Sequence, residues 1–128
     1  MNTLTTNGIK ISVKAFYQPF QSEPLTERFI FAYRVIIENV GSETVQLLRR
    51  QWFISDSNGE KRGVEGEGVI GQTPILAPGQ VHRYNSWCPL KTPIGKMGGF
   101  FTMVNLKTRE LFEVQVPDFQ MIAPFKAN

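Results

Sequence analysis

The chain of 128 residues holds a single histidine, His82, and a single cysteine, Cys88. A zinc centre needs several converging ligands, and this pair, six residues apart on one segment, does not supply them. One cysteine cannot close an internal disulfide, which fits a reducing cytoplasm as the expected location. No apolar run approaches membrane-spanning length, and residues 1–8 lack the apolar centre of a secretory signal, so no membrane partner is expected. The 14 Lys and Arg against 11 Asp and Glu leave a net charge of +3. That small excess forms no long run, so nucleic acid is not implied as a partner. A helical apolar period is also missing.

What the chain has instead is alternation. With 41% hydrophobic and 20% charged residues it has the composition of an ordinary globular protein, and its length suits one domain over 1–128. The ten phenylalanines favour sheets around an aromatic core. Period-two patterns predict strands over 9–17, 29–38, 45–55, 61–65, 81–87, 98–105 and 111–117. In the second, Phe29, Phe31, Tyr33, Val35 and Ile37 share one face. Ile30, Ala32 and Ile36 make its other face partly apolar, as in a central or covered strand. Asn58-Gly59 marks a tight hairpin between the third and fourth strands. Residues 1–7 are expected to fray, and 118–128 to lie extended on the body. About seven strands with frequent turns predict an all-β fold. Its expected form is an antiparallel β-sandwich of immunoglobulin or fibronectin type III kind.

The organising stretch is Gly66-Glu67-Gly68-Val69-Ile70-Gly71 and the loop leaving it, 66–79. Its GxGxxG spacing is that of a dinucleotide fingerprint, which works only where a helix begins inside the motif. Here Pro74 and Pro78-Gly79 follow, with no helical period, so the Rossmann reading fails on context. The glycines then mark a bulge or a close backbone approach, or they form a nest of N–H groups for an anion. Gly66, Gly68, Val69 and Gly71 are the candidate anion-binding residues, with Arg50, Arg62 and Arg83 as basic support. Plain solvated edge charges are the competing reading of those arginines, which belong to a wider basic set with Arg49 and Lys61. Glu65 and Glu67 flank Gly66 and would share a face in an extended segment, where a hard cation could sit. Two solvated carboxylates are the plainer account, and no metal site or cofactor is assigned. Ser86 and His82 share a face but stand roughly 13 Å apart, which rules out direct nucleophile–base pairing. Trp52 and Trp87 read as core residues.

A longer string carries a resemblance. Arg50-x-Trp52-x-Ile54, Asp56-x-Asn58-Gly59 and Val64-x-Gly66-x-Gly68-Val69-x-Gly71-x-x-Pro74-x-Leu76-x-Pro78-Gly79 come first. Tyr84-x-Ser86, Leu90-x-Thr92-Pro93-x-Gly95-x-Met97-x-Gly99-x-Phe101-x-Met103 and Val116-Pro117-x-Phe119 continue it. Together they resemble the ApaG family, also called CorD. The resemblance implies a fibronectin type III-like sandwich of the kind found as single-domain bacterial proteins. It also implies a genetic link to cobalt and magnesium handling and to diadenosine tetraphosphate hydrolase. Similar domains in eukaryotic F-box proteins and in a polymerase-delta-interacting protein imply protein binding. The family's glycine motif has been proposed as a pyrophosphate or nucleotide contact, and no enzymatic activity is established for the family. Trp87 stands where the family often has glycine, and Phe101 where it often has tyrosine. The expectation is a non-enzymatic module binding an unidentified protein, as monomer or homodimer. Phosphate, pyrophosphate or dinucleoside-polyphosphate binding at the glycine loop is the alternative, and hydrolysis of such nucleotides is a weaker third reading.

Overall fold

Alternating apolar positions become pleated strands along the whole chain. The computed structural model describes residues 1–126. It contains β1 (Asn2–Thr6), β2 (Ile9–Tyr17), β3 (Phe29–Asn39), β4 (Val45–Asp56) and β5 (Lys61–Glu67). It continues with β6 (Ile75–Leu76), β7 (Val81–Leu90), β8 (Ile94–Asn105) and β9 (Leu111–Ile122). Among the described residues the only helical turns are short 3-10 turns at Pro24–Thr26 and Pro124–Lys126. One sheet runs β1-β2-β3-β7 and the other β5-β4-β8-β9, with β6 added beside β4. All pairings are antiparallel, and the two sheets form the expected sandwich.

The shared core lies between the sheets. Ile11, Val13, Phe31, Val35 and Ile37 from the first sheet meet Leu47, Trp52, Phe101, Met103, Val114 and Met121 from the second. Tyr33 packs edge-on against Trp52 at 5.5 Å, and Trp52 against Phe101 at 5.9 Å between ring centres. Phe101 is fully buried there. On the other face of β3 Ile30 is also buried, and its backbone is tied to the preceding loop. Gln18 N–H donates to the Ile30 carbonyl at 2.8 Å, and Ile30 N–H to the Ser22 hydroxyl at 2.9 Å.

Three expectations need correction. Residues 2–6 do not fray but pair with β2 from Asn2↔Val13 to Thr6↔Ile9. The cause is the turn Asn7-Gly8, with φ of 51° and 79°; the same dipeptide recurs at 58–59, where only Gly59 takes a positive φ. Trp87 is not core: it is 55% exposed, because odd positions of β7 face outward while Tyr84, Ser86 and Cys88 face in. The segment 118–122 is the end of β9 itself, paired to β8 as far as Ile122↔Ile94. Residues 127–128 of the expected tail lie outside the described residues.

Two β-bulges break simple alternation. In β4 the register shifts between Leu47 and Arg49. Val45 and Leu47 are buried before the bulge, Trp52, Ile54 and Asp56 after it. The inserted residue thus moves the inward face from odd to even positions and turns Arg50 toward the inter-sheet side. At the end of β4, buried Asp56 accepts from Lys91 N–H at 2.7 Å, from Ser57 N–H at 2.9 Å and from the Thr92 hydroxyl. It thereby ties the β4–β5 hairpin to the β7–β8 turn.

Candidate functional site

The sandwich is shut on one flank and open on the other. On the shut flank β1 lies against β9, where Asn2 Nδ2 donates to the Asp118 carbonyl at 2.7 Å and Asn7 Nδ2 to the Glu113 carbonyl at 2.9 Å. The other flank lies between β5, which pairs only with β4, and β7, which pairs only with β3. Two cavities of about 260 and 230 Å³ lie along it, and both are lined by Tyr33, Arg50, Trp52 and Ser86.

The glycine stretch forms the rim of the smaller cavity. Gly66 stands opposite Arg50 in the ladder. A Cβ at Gly66 would lie 2.9 Å from Arg50 Nη1, so the missing side chain makes room for the guanidinium. Arg50 Nη1 donates to the Glu67 and Gly68 carbonyls, each at 3.0 Å. Gly68 has φ of 64°, and a Cβ there would collide with the Gln72 carbonyl oxygen. Its N–H donates at 2.8 Å to Leu48, the residue inserted at the β4 bulge. Val69 and Gln72 then exchange N–H···O bonds of 2.8 and 3.0 Å across Ile70 and Gly71. Both central residues have positive φ, 48° and 71°, which defines a tight two-residue hairpin turn. Ile70 is an outlier, because a β-branched residue rarely adopts that conformation. It is also 59% exposed at the tip.

These contacts place the sequence-derived residues. Gly66, Gly68, Val69 and Gly71 do form one structural unit with Arg50. The N–H groups of Gly68, Val69 and Gln72 are spent on carbonyls of the protein itself. The convergence that sequence reasoning missed is of backbone carbonyls onto Arg50. Arg62 also reaches the open flank, where its Nη2 donates to the Pro89 carbonyl and lies 3.6 Å from Cys88 Sγ. It is the one side-chain link from β5 to β7 among the described hydrogen bonds. Arg83 is not brought to this group, since it is exposed on the outward side of β7 opposite Ile36. Glu65 and Glu67 sit opposite Gln51 and Arg49 with their side chains exposed. No three His, Cys, Asp or Glu side chains gather to hold a metal among the described residues.

The remaining members were not singled out as site residues from sequence. Ser86 is the cross-strand partner of Tyr33, and Tyr84 lies two positions along β7. The Tyr84 hydroxyl is buried and has no hydrogen-bond partner among the described residues. Burial pushes its phenol well above the ordinary range, neighbouring Tyr33 adds to the rise, and Arg50 opposes it. Burial likewise raises Tyr33, against the lowering effect of the Ser86 hydroxyl. Burial also raises the Cys88 thiol, which makes it a poor nucleophile at neutral pH despite the nearby Arg62. The Tyr84-x-Ser86 spacing, which puts both side chains on one face of a strand, was the available signal.

A two-sheet sandwich with an arginine-centred cleft on its open flank therefore defines the class of protein. The family model for the ApaG domain matches residues 19–105. The chain is 43% identical over 124 residues to Protein ApaG of Brucella canis, covering 97% of this chain and 95% of that one. It is 44% identical over the same length to Protein ApaG of Paramagnetospirillum magneticum. A Bordetella pertussis protein whose crystal structure carries the name ApaA superposes with a TM-score of 0.88 at 41% identity, covering 91% of this chain and 94% of that one. The chain belongs to the ApaG family.

Proposed function

We propose that the protein is a non-enzymatic binding module that takes an extended segment of a protein partner along the β5/β7 flank. The observation that carries this reading is the pair of facing strand edges, each with one unpaired side, above a cleft with an apolar rim. Val64, Ile70 and Trp87 supply that rim and are 39%, 59% and 55% exposed. Unpaired edges offer main-chain donors and acceptors to an added strand, and the alternate side chains of that strand can enter pockets. Burial leaves the Cys88 thiol in this flank a poor nucleophile. The link to cobalt and magnesium handling that family membership implies would then run through the partner. A cytoplasmic location is supported by the lone buried thiol.

A photo-crosslinker placed at Val64 or Trp87 tests the reading, with one at exposed Lys10 on β2 as control. The expected result is one protein adduct shared by the two flank positions and missing from the control. Adducts equal at all three positions would remove the flank as the binding surface. An adduct between two copies of this chain would reassign it to a homodimer contact.

The alternative occupant is phosphate, pyrophosphate or a dinucleoside polyphosphate at the glycine loop. Its support is Arg50 rather than the N–H groups of Gly68, Val69 and Gln72, which are already engaged. Calorimetric titration with pyrophosphate and diadenosine tetraphosphate, with and without Mg²⁺, decides it, and heats equal to those of buffer would remove it.

A further inference from the structure

The smaller flank cavity, at about 230 Å³, is below the usual size of a pocket for a whole small-molecule ligand. It suits one side chain. Its spare donors gather at Arg50, and Glu67, whose side chain is exposed, stands at its rim. Arg50 uses Nη1 on two carbonyls, while its Nε and Nη2 have no partner among the described hydrogen bonds. Tyr84 contributes a buried hydroxyl without a partner, and Tyr33 and Ser86 contribute two more hydroxyls. The nearby carbonyls of Glu67 and Gly68 already accept from Arg50. The guanidinium can only donate, the hydroxyls beside it can turn to donate, and the carbonyls are already engaged, so the site favours a group that accepts. An ionised carboxylate is such a group, and its two oxygens match the planar donor edge of a guanidinium.

We propose that this cleft receives the carboxylate of an acidic side chain carried on the partner's extended segment, held by Arg50 and by the Tyr84 hydroxyl. The inference rests on the reading of the flank given above and adds the chemistry of the group that enters. An edge-added strand points every second side chain the same way, so one glutamate can reach the cleft while the segment continues past it. Tyr84 supplies the discriminating feature. A buried hydroxyl with no protein partner among the described residues is free to donate to an arriving acceptor.

Nitrogen-15 NMR titration of the whole chain tests this at constant ionic strength. The small probes are acetate and acetamide. The peptide probes are acetylated, amidated Val-Thr-Glu-Thr-Val and its glutamine counterpart. Acetate is expected to shift the Arg50 Nε and Glu67–Gly68 signals saturably, and acetamide is not. The glutamate peptide is expected to bind at least about tenfold more tightly than the glutamine peptide, the usual scale of a charge-assisted hydrogen bond. Tyr84→Phe should weaken acetate and glutamate-peptide binding by about tenfold while leaving thermal stability equal or higher, because it removes a hydroxyl without a partner in the fold. Equal binding of the charged and neutral probes, an unchanged affinity in Tyr84→Phe, or tighter binding of pyrophosphate than acetate at the same signals would each overturn the proposal. A specific flank crosslink with no acetate response would overturn only the carboxylate and leave the partner reading standing.

Discussion

The two flanks of the sandwich are held in chemically different ways. Along β1 and β9 the cross-flank ties are neutral amides, Asn2 and Asn7, donating to Asp118 and Glu113 carbonyls. Along β5 and β7 the work falls to guanidiniums. Arg62 spans to Pro89, while Arg50 turns inward to hold the Glu67–Gly68 backbone. An amide nitrogen used this way has few donors left, whereas each guanidinium has five. The amides of the shut flank are thus engaged in holding it together, and the open flank keeps unused guanidinium donors that a ligand can meet.

The largest expected effect comes from breaking the open rim. Gly68→Ala should cost about 2–4 kcal/mol in urea unfolding, since it adds a Cβ at φ of 64° against the Gln72 carbonyl. Gly71→Ala, at φ of 71° but with open space around it, should cost only about 1 kcal/mol. Equal losses would mean that close backbone approach does not shape this loop.

On the shut flank, Asn7→Ala removes both a residue suited to positive φ and the tie to Glu113. A loss of about 1–2 kcal/mol is expected, with amide exchange quickening in β1 before the rest of its sheet. Uniform quickening across the sheet would show that β1 is not a separately releasable edge.

Ile70→Asn sharpens the contrast in the opposite direction. The two hairpin turns, Asn7-Gly8 and Ile70-Gly71, share positive φ at both positions, and only the second has a β-branched residue there. Relief of that strain should raise stability by about 1 kcal/mol in thermal melts. The same change should reduce flank crosslinking, because an exposed apolar contact is lost. Strain kept at an exposed apolar tip is what a binding role would require.

The smallest effect is on pH. Burial lowers the His82 imidazole from its ordinary 6.5, so the fold favours the neutral ring. Its contribution is complete above that value and is lost as pH falls from there through the lowered folded value. His82→Gln should flatten this part of the stability–pH curve, and an unchanged slope would assign it to other groups.

Much of this architecture could be read from residue order. The inward set of β3 from Phe29 to Ile37 follows directly from alternation, and so does the Asn58-Gly59 hairpin. The β1 hairpin carried the same dipeptide signal at Asn7-Gly8, which was outweighed by the polar composition of its strand. Arg50 was recognised as basic support, but its role as anchor of the glycine rim was not legible. A β-bulge leaves no mark in a period-two pattern except an apparent slip, and the slip at Leu48 is what turns Arg50 inward.

Local alternation and turn chemistry are properties of neighbouring residues, and they suffice to specify strands, hairpins and the two-layer class. Which edges remain uncovered depends on pairings between residues far apart in the chain, such as Tyr33 with Ser86 and Arg50 with Gly66. Only the assembled sheets bring Arg50 and Tyr84 to one cleft and send Arg83 to the opposite face. The physical reason is that strand pattern sets a side chain's direction relative to its own sheet, while packing of one sheet on the other sets what it faces.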